Sequence, residues 1–396
     1  MNAVVEARIR AKLQTGDKNA KQAFQRLQDE GRIARDFTFE VGTSKKGITT
    51  NINFHPDPVG KVGATFQIPD MGAVPYRVNT HAVRQAAEKL NIPGVYLLSL
   101  LAGEEWQRTL GYDILNTHNG WTNRNKVLVR SVGDEVRAFL SDQYRRLDSD
   151  LIFNSHVEEI FANGAQLSNG YMDDTRITIE SLLPQPIELR TELNGTVMLA
   201  FGTRLSTSDY GDGALELRSF VMQGVCLNGM VRESVLRAIH LGAKLPDNLE
   251  LSQKTYELDS QTTASAIRDL TKNLYSSDII KDRMLEVHAA AGIRVDIGRE
   301  LKNLAGRLFK GETEEIGKLL MRNSPEDGVQ GESTIWKLTQ GITAYANGEG
   351  VAERRRMELQ EIAGGLFNNV LDSQTTASAI RDLTKNLYSS DIIKVK

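Results

Sequence analysis

Thr196–Leu205 and Ala214–Cys226 are two long strand-like stretches separated by the turn Ser208-Asp209-Tyr210-Gly211-Asp212-Gly213. In the second, Leu215, Leu217 and Val221 alternate with Glu216 and Arg218, the two-residue period of a strand. Two long strands across a Gly-rich turn fold back as an antiparallel hairpin. A hairpin alone is marginal in water, so its apolar face commits the chain to a larger sheet packed with helices.

Helical signals flank the pair. Residues 3–35 are dominated by Ala, Lys, Gln and Arg, with Gly only at Gly16 and Gly31, and read as helix. Residues 42–76 hold five glycines and four prolines, a loop-rich stretch with room for short strands such as Thr49–Phe54. Thr80 is placed to cap a helix over His81–Leu90. Asn91-Ile92-Pro93 ends it, and a second helix follows over Val95–Leu110. Lys126–Arg130, Val136–Ser141 and Arg176–Glu180 read as short strands, and Leu151–Ala162 as an amphipathic helix. Asn228 is placed to cap a helix over Met230–Leu241, with Val231, Val235 and Ile239 on its inner stripe.

From Leu245 the pattern is helical. Ile297, Leu301, Leu304 and Leu308 recur at three and four residues, as do Ile335, Leu338, Ile342 and Tyr345. Asn323-Ser324-Pro325 and the Gly348/Gly350 pair separate helices. The expected fold is α+β: an antiparallel β-hairpin sheet packed with helices, followed by a C-terminal helical region. The expected segments are 1–75, helix and loop-rich; 76–244, mixed α/β core; 245–370, helical; and 371–396, a tail.

That tail is unusual. Leu258–Lys281 and Leu371–Lys394 both read LDSQTTASAIRDLTKNLYSSDIIK, identical at all 24 positions with an offset of 113. A helix needs its apolar pattern, not every surface Ser and Asn, and repeats of solenoids diverge. Identity therefore marks a recent duplication, or an event in how the sequence was assigned, rather than a demand of the fold. The stripe Ala264, Ile267, Leu270, Leu274 returns as Ala377, Ile380, Leu383, Leu387.

Composition narrows the class. Hydrophobic residues make up 40% and charged residues 25%, which supports a sizeable core and argues against disorder. No apolar run reaches the roughly 18 residues of a membrane span. The opening MNAVVEARIRAKLQTGDK has no apolar signal core, so a cytoplasmic setting is expected. The one cysteine, Cys226, excludes an internal disulfide and a thiolate zinc site. Net charge is -3, but it is unevenly spread: +6 over residues 1–146, -8 over 147–230 and -1 over 231–396. Such asymmetry can place a polyanion on one side of a molecule.

Catalytic signatures are missing. The nearest approach to a phosphate loop, Gly311 to Gly317-Lys318, is one residue too long and has Leu319 where Ser or Thr must reach magnesium. There is no H-E-x-x-H and no G-x-S-x-G. His55, His81, His118, His156, His240 and His288 are scattered, with no pair at ligand spacing. Asp148/Asp150, Asp173/Asp174 and Asp209/Asp212 offer a metal-dependent nuclease reading. All three sets sit at turns or helix starts, where Asp serves as a cap or Asx-turn former. No cofactor is expected.

The most suggestive chemistry lies in Trp121–Arg146. Arg124, Lys126, Arg130, Arg137, Arg145 and Arg146 interleave with Trp121, Phe139 and Tyr144. Lys126 and Arg130 share strand parity, which allows both to point from one face. Guanidinium groups neutralise phosphates, and aromatic faces of the Trp121 and Tyr144 kind stack on unpaired bases.

Ser208–Val231, preceded by Arg137–Ile152, resembles the phage- and plasmid-borne family called domain of unknown function nine-three-two. The resemblance is carried by Ser141-Asp142-Gln143-Tyr144 and Cys226-Leu227-Asn228-Gly229, is closest over 130–235 and is not seen over 1–70. It implies a role in recombination, replication or counter-defence rather than a defined activity. The order of hairpin strands and helix is also similar to single-strand annealing proteins of the Rad-fifty-two type, as an analogy of fold. The expected function is a non-catalytic single-stranded DNA-binding or annealing protein that forms a homo-oligomer. The alternative is a counter-defence protein that binds a host protein or sequesters a small molecule.

Overall fold

The computed structural model describes residues 2–40, 42–44, 47–49, 51–68, 71–121, 126–141, 144, 149–224, 227–238, 253–322, 332–371 and 393–394. In chain order the first elements are α1 (Asn2–Ile33), β1 (Ala34–Glu40), β2 (Gly42–Ser44), β3 (Gly47–Thr49), β4 (Ile52–Pro56), β5 (Val62–Ile68), β6 (Gly72–Val78), α2 (Thr80–Lys89), α3 (Gly94–Leu101), α4 (Glu105–Trp121), β7 (Lys126–Val132) and β8 (Glu135–Ser141). Next come α5 (Ser149–Ala162), β9 (Gln166–Met172), β10 (Ile177–Leu182), β11 (Ile187–Thr191), β12 (Gly195–Thr207), β13 (Leu215–Gln223) and β14 (Asn228–Ala238). Then follow α6 (Gln253–Leu274), α7 (Ser277–Gly292), β15 (Arg294–Asp296), α8 (Ile297–Asn303), α9 (Lys310–Arg322), β16 (Glu332–Thr334), α10 (Ile335–Ala346), α11 (Glu353–Leu371) and β17 (Ile393–Lys394).

The fold is α+β, with two principal sheets and a helical region after them. The first sheet runs β1-β7-β8-β6-β5-β4, antiparallel except where β6 meets β8. Its apolar face carries Phe54, Phe66, Val129 and Phe139, which pack on Val83 and Ala87 of α2 and Leu115 of α4. β6 itself runs across position 75, and β1, β4, β5 and β6 share one sheet with β7 and β8, while β2 and β3 pair only with each other among the described residues. The second sheet runs β14-β13-β12-β10-β9, with β11 paired to the opening stretch of β12 and β17 to β11. The hairpin read from the sequence is its spine: β12 and β13 pair from Leu199↔Gln223 to Ser206↔Glu216.

α1 lies against β9 at backbone distance. A Cβ at Gly16 would run into the Ser168 backbone, and one at Gly170 into the Ala20 backbone. Only glycine at both positions lets a helix cover that strand so closely. Val5, Ile9 and Leu13 on its first half meet Met198, Phe220 and Met222, whereas Ala20, Ala23 and Leu27 join Ile152, Leu167 and Leu205. The helices after α6 bury Trp336, Ile342, Leu359 and Phe367 with Leu199, Phe201 and Val221 of the second sheet.

Five departures from the sequence reading have physical causes. Met230–Leu241 is not a helix: β14 occupies Asn228–Ala238 and pairs with β13, Val221↔Met230 and Phe220↔Val231. A spacing of four, as in Val231, Val235 and Ile239, fits a period of two as well as 3.6, and a neighbouring strand decides between them. Asn228 pairs with Gln223 instead of capping. Asn79, not Thr80, caps α2, its side chain accepting from the Ala82 N–H. The helix expected over Val95–Leu110 is broken at Ala102–Glu104, where Gln107 Oε1 accepts from the Glu104 N–H and starts α4. Residues 34–40 form β1 rather than extending toward the loop, and the loop-rich stretch, where short strands such as Thr49–Phe54 are expected, holds β2 to β6, with Gly72 and Pro75 inside β6 hiding its period. Cys226, Asn323-Ser324-Pro325 and residues 372–392 lie outside the described residues. No described helix is long and apolar enough to cross a membrane.

Candidate functional site

The turn between β12 and β13 points into the first sheet, and three of its carbonyls are met there. Tyr144 Oη donates to the Ser208 carbonyl at 2.9 Å, Arg130 Nη1 to Asp209 at 2.8 Å, and Gln85 Nε2 to Tyr210 at 2.8 Å. His81 Nε2 lies 3.0 Å from the same Tyr210 oxygen. Side chains of α2, β7 and the segment after β8 thus grip a second-sheet turn, satisfying carbonyls that burial would otherwise strand.

Arg130 is 4% exposed and is not on an outward face. Its Nε and Nη2 donate to the two carboxylate oxygens of Asp36 on β1 at 2.8 and 3.0 Å. Burial works against its charge, but the Asp36 hydrogen bonds and the fields of Asp209 and Asp36 outweigh it and raise its pKa. Arg137 is buried too. Its Nη1 donates to Glu30 of α1 at 2.9 Å, and its guanidinium lies 5.9 Å from the centre of the Tyr210 ring. Burial again opposes the charge and Glu30 restores it. Glu30 is shared with Arg26 Nε at 2.7 Å. Burial pushes the phenols of Tyr144 and Tyr210 up, so both stay protonated donors. The expectation that Arg130 and Arg137 face phosphates is therefore corrected: in the fold they are interior ion pairs, because Asp36 and Glu30, distant in sequence, lie across from them. Tyr144 is half-buried with its hydroxyl committed. Trp121 ends α4 and Lys126 starts β7; their side chains, and Arg124, Arg145 and Arg146 entirely, lie outside the described residues.

Of the aspartate sets, Asp148 lies outside the described residues, Asp173 forms a turn, and Asp209 and Asp212 accept from neighbouring side chains. Asp173 Oδ1 accepts from the N–H groups of Thr175 and Arg176, both at 2.8 Å, an Asx turn that starts β10. Asp212 accepts from Thr175 Oγ1 at 2.6 Å and Arg354 Nη2 at 3.0 Å. Burial raises its pKa, but those hydrogen bonds prevail and lower it. Asp209 Oδ1 accepts from Ser149 Oγ at 2.6 Å. Among the described residues no three His, Cys, Asp or Glu side chains converge to hold a metal.

Beside this junction opens a cleft of about 590 Å³ between the end of α1, the start of α5, the start of β10 and the gripped turn. Its distinctive residue is Arg176. The guanidinium lines the cleft, Nη2 reaches Ser206 Oγ at 3.3 Å, and Nε is buried without a partner. No carboxylate among the described residues pairs with it, whereas Arg26, Arg130, Arg137 and Arg354 around it each have one. Arg32, 72% exposed, stands at the rim. An arginine held in a cleft without its counter-charge is suited to an anionic group from outside. Sequence reasoning placed Arg176 on a strand and gave it no role; the signal lay in what it lacks, visible only once the carboxylates are located. No protein-family model, curated protein or solved structure matches the chain.

Proposed function

We propose that the chain binds single-stranded DNA without catalysing a reaction on it, with a backbone phosphate seated on Arg176. One observation carries the reading: Arg176 is the cleft's guanidinium with no carboxylate partner. The cleft volume falls within the range of ligand sites for molecules of nucleotide size. Arg32 at the rim, paired with Asp29 at 3.4 Å but largely exposed, offers a second cation for the next phosphate by exchanging that surface partner. The opposite charges of residues 1–146 and 147–230 support assembly of copies head to tail. Light scattering at physiological salt is expected to give a mass above that of a dimer; a 44 kDa monomer with and without DNA removes the assembly.

The binding test is fluorescence anisotropy with a labelled thymidine 30-mer across a salt series. Log affinity is expected to fall linearly with log salt. Arg176→Gln is expected to weaken binding by about tenfold, the scale of one charge-assisted hydrogen bond, and to flatten the slope by roughly 0.7. Full binding by Arg176→Gln, or none by the parent chain at low salt, sinks the reading. Binding of thymidine monophosphate but not of the 30-mer favours sequestration of a small anion instead.

A further inference from the structure

We propose that the groove holding α6 is a docking site for residues 371–394 as well, so that one seat has two claimants within the chain. α6 sits between α5 and the second sheet, where Ala264, Ile267 and Leu274 are buried with Ile152, Phe153 and Ile160 of α5 and Ile179, Leu205 and Leu217 of the sheet. Its polar contacts are equally specific. Thr271 Oγ1 meets His156 Nδ1 at 2.8 Å, Tyr275 Oη meets Ser181 Oγ at 2.5 Å, and Arg268 Nη2 donates to Glu158 at 2.9 Å.

Each of these α6 side chains, with Tyr275, belongs to the repeated 24 residues. Ala377, Ile380, Leu387, Thr384, Tyr388 and Arg381 supply the same set in the same spacing. A groove cannot distinguish two segments that present identical atoms; only their connections to the rest of the chain differ. The ends of both copies reach the second sheet and its core. Ile280, near the end of the first copy, packs against the cluster built on β11, β12 and β13, and Ile393, its counterpart, pairs with Leu189 at the edge of that sheet. The second copy is therefore tethered beside the first copy's seat, where its local concentration is high. When α6 leaves, residues 371–394 take its place.

Substitution of each copy separates this from a passive tail. Ile267→Asp and Ile380→Asp, each alone, are expected to melt within about 5 °C of the parent chain, and together to fall by more than about 10 °C. An Ile267→Asp chain that melts as low as the double variant or fails to fold overturns the proposal, and so does a double variant that loses nothing. A second measurement locates the substitute directly. In an Ile267→Asp, Cys226→Ser chain, Glu158→Cys and Arg381→Cys are expected to be joined by a short bis-maleimide, because Arg381 then stands where Arg268 stood. A folded chain of that kind with no cross-link overturns it as well.

Discussion

His156 lies fully buried between two hydroxyls, Thr271 Oγ1 at 2.8 Å on Nδ1 and Thr203 Oγ1 at 3.4 Å on Nε2. Burial holds its pKa down to about 3, against about 6.5 in an unfolded chain. Above pH 6.5 the ring is neutral in both states and contributes nothing to pH dependence. Below it the unfolded chain binds a proton that the folded chain refuses. Stability is thus expected to decline by about 1.4 kcal/mol per pH unit from pH 6.5 toward 3. Urea unfolding at pH 7.5, 6.5, 5.5 and 4.5 measures the slope, and His156→Gln is expected to remove one proton from it. His288, also depressed by burial, leaves a residual slope of the same sign. The same scale shows why the site was only partly legible. Basic and aromatic residues around 121–146 were readable as a group, and three of them do converge on one turn. That Asp36 and Glu30 would neutralise Arg130 and Arg137 depends on contacts across 94 and 107 residues, which no local period reports.

Elements with an undivided local signal were legible: α1, the β7–β8 pair, α5, the β12–β13 hairpin and α10 all lie close to their expected places. Elements defined by a neighbour were not. β14 carries a spacing that helix and strand share, and β9 and β11 hold too few apolar residues to show a two-residue period. The repeat makes the point within one chain. Ile280-Lys281 is helical in α7, while the identical Ile393-Lys394 is a strand on β11. The α1–β9 contact offers a test of what a neighbour is worth. Gly170→Val inserts a branched side chain where Ala20 of α1 already stands. A loss of about 3 kcal/mol is expected from such overpacking, read by urea denaturation; a change below about 0.5 kcal/mol would mean that α1 stands off the strand.

At the scale of the molecule, the two sheets are joined at the gripped turn and through Arg137 of β8, whose Nη1 meets Glu30 of α1, the helix that covers β9, and the Asp174 carbonyl ahead of β10. Each places a charge or carbonyl of one body against its satisfying group on the other, so separation strands buried polar atoms on both sides. Calorimetry is accordingly expected to show one cooperative transition spanning both sheets. Two well-resolved transitions in the parent chain would show that the junction does not couple them.

The helix that covers β9 also sets an order of events during synthesis. α1 leaves the ribosome before the sheet it covers, and the residues that bury Val5, Ile9 and Leu13 extend to Val231. At roughly 5–20 residues per second, its apolar stripe waits on the order of 10–40 s for a partner. Through that interval the nascent chain presents an amphipathic segment whose apolar stripe is uncovered. A chain slowed by rare codons between residues 34 and 231 prolongs the wait, and the yield of native protein then depends on translation speed and on the chaperones that shelter the first helix.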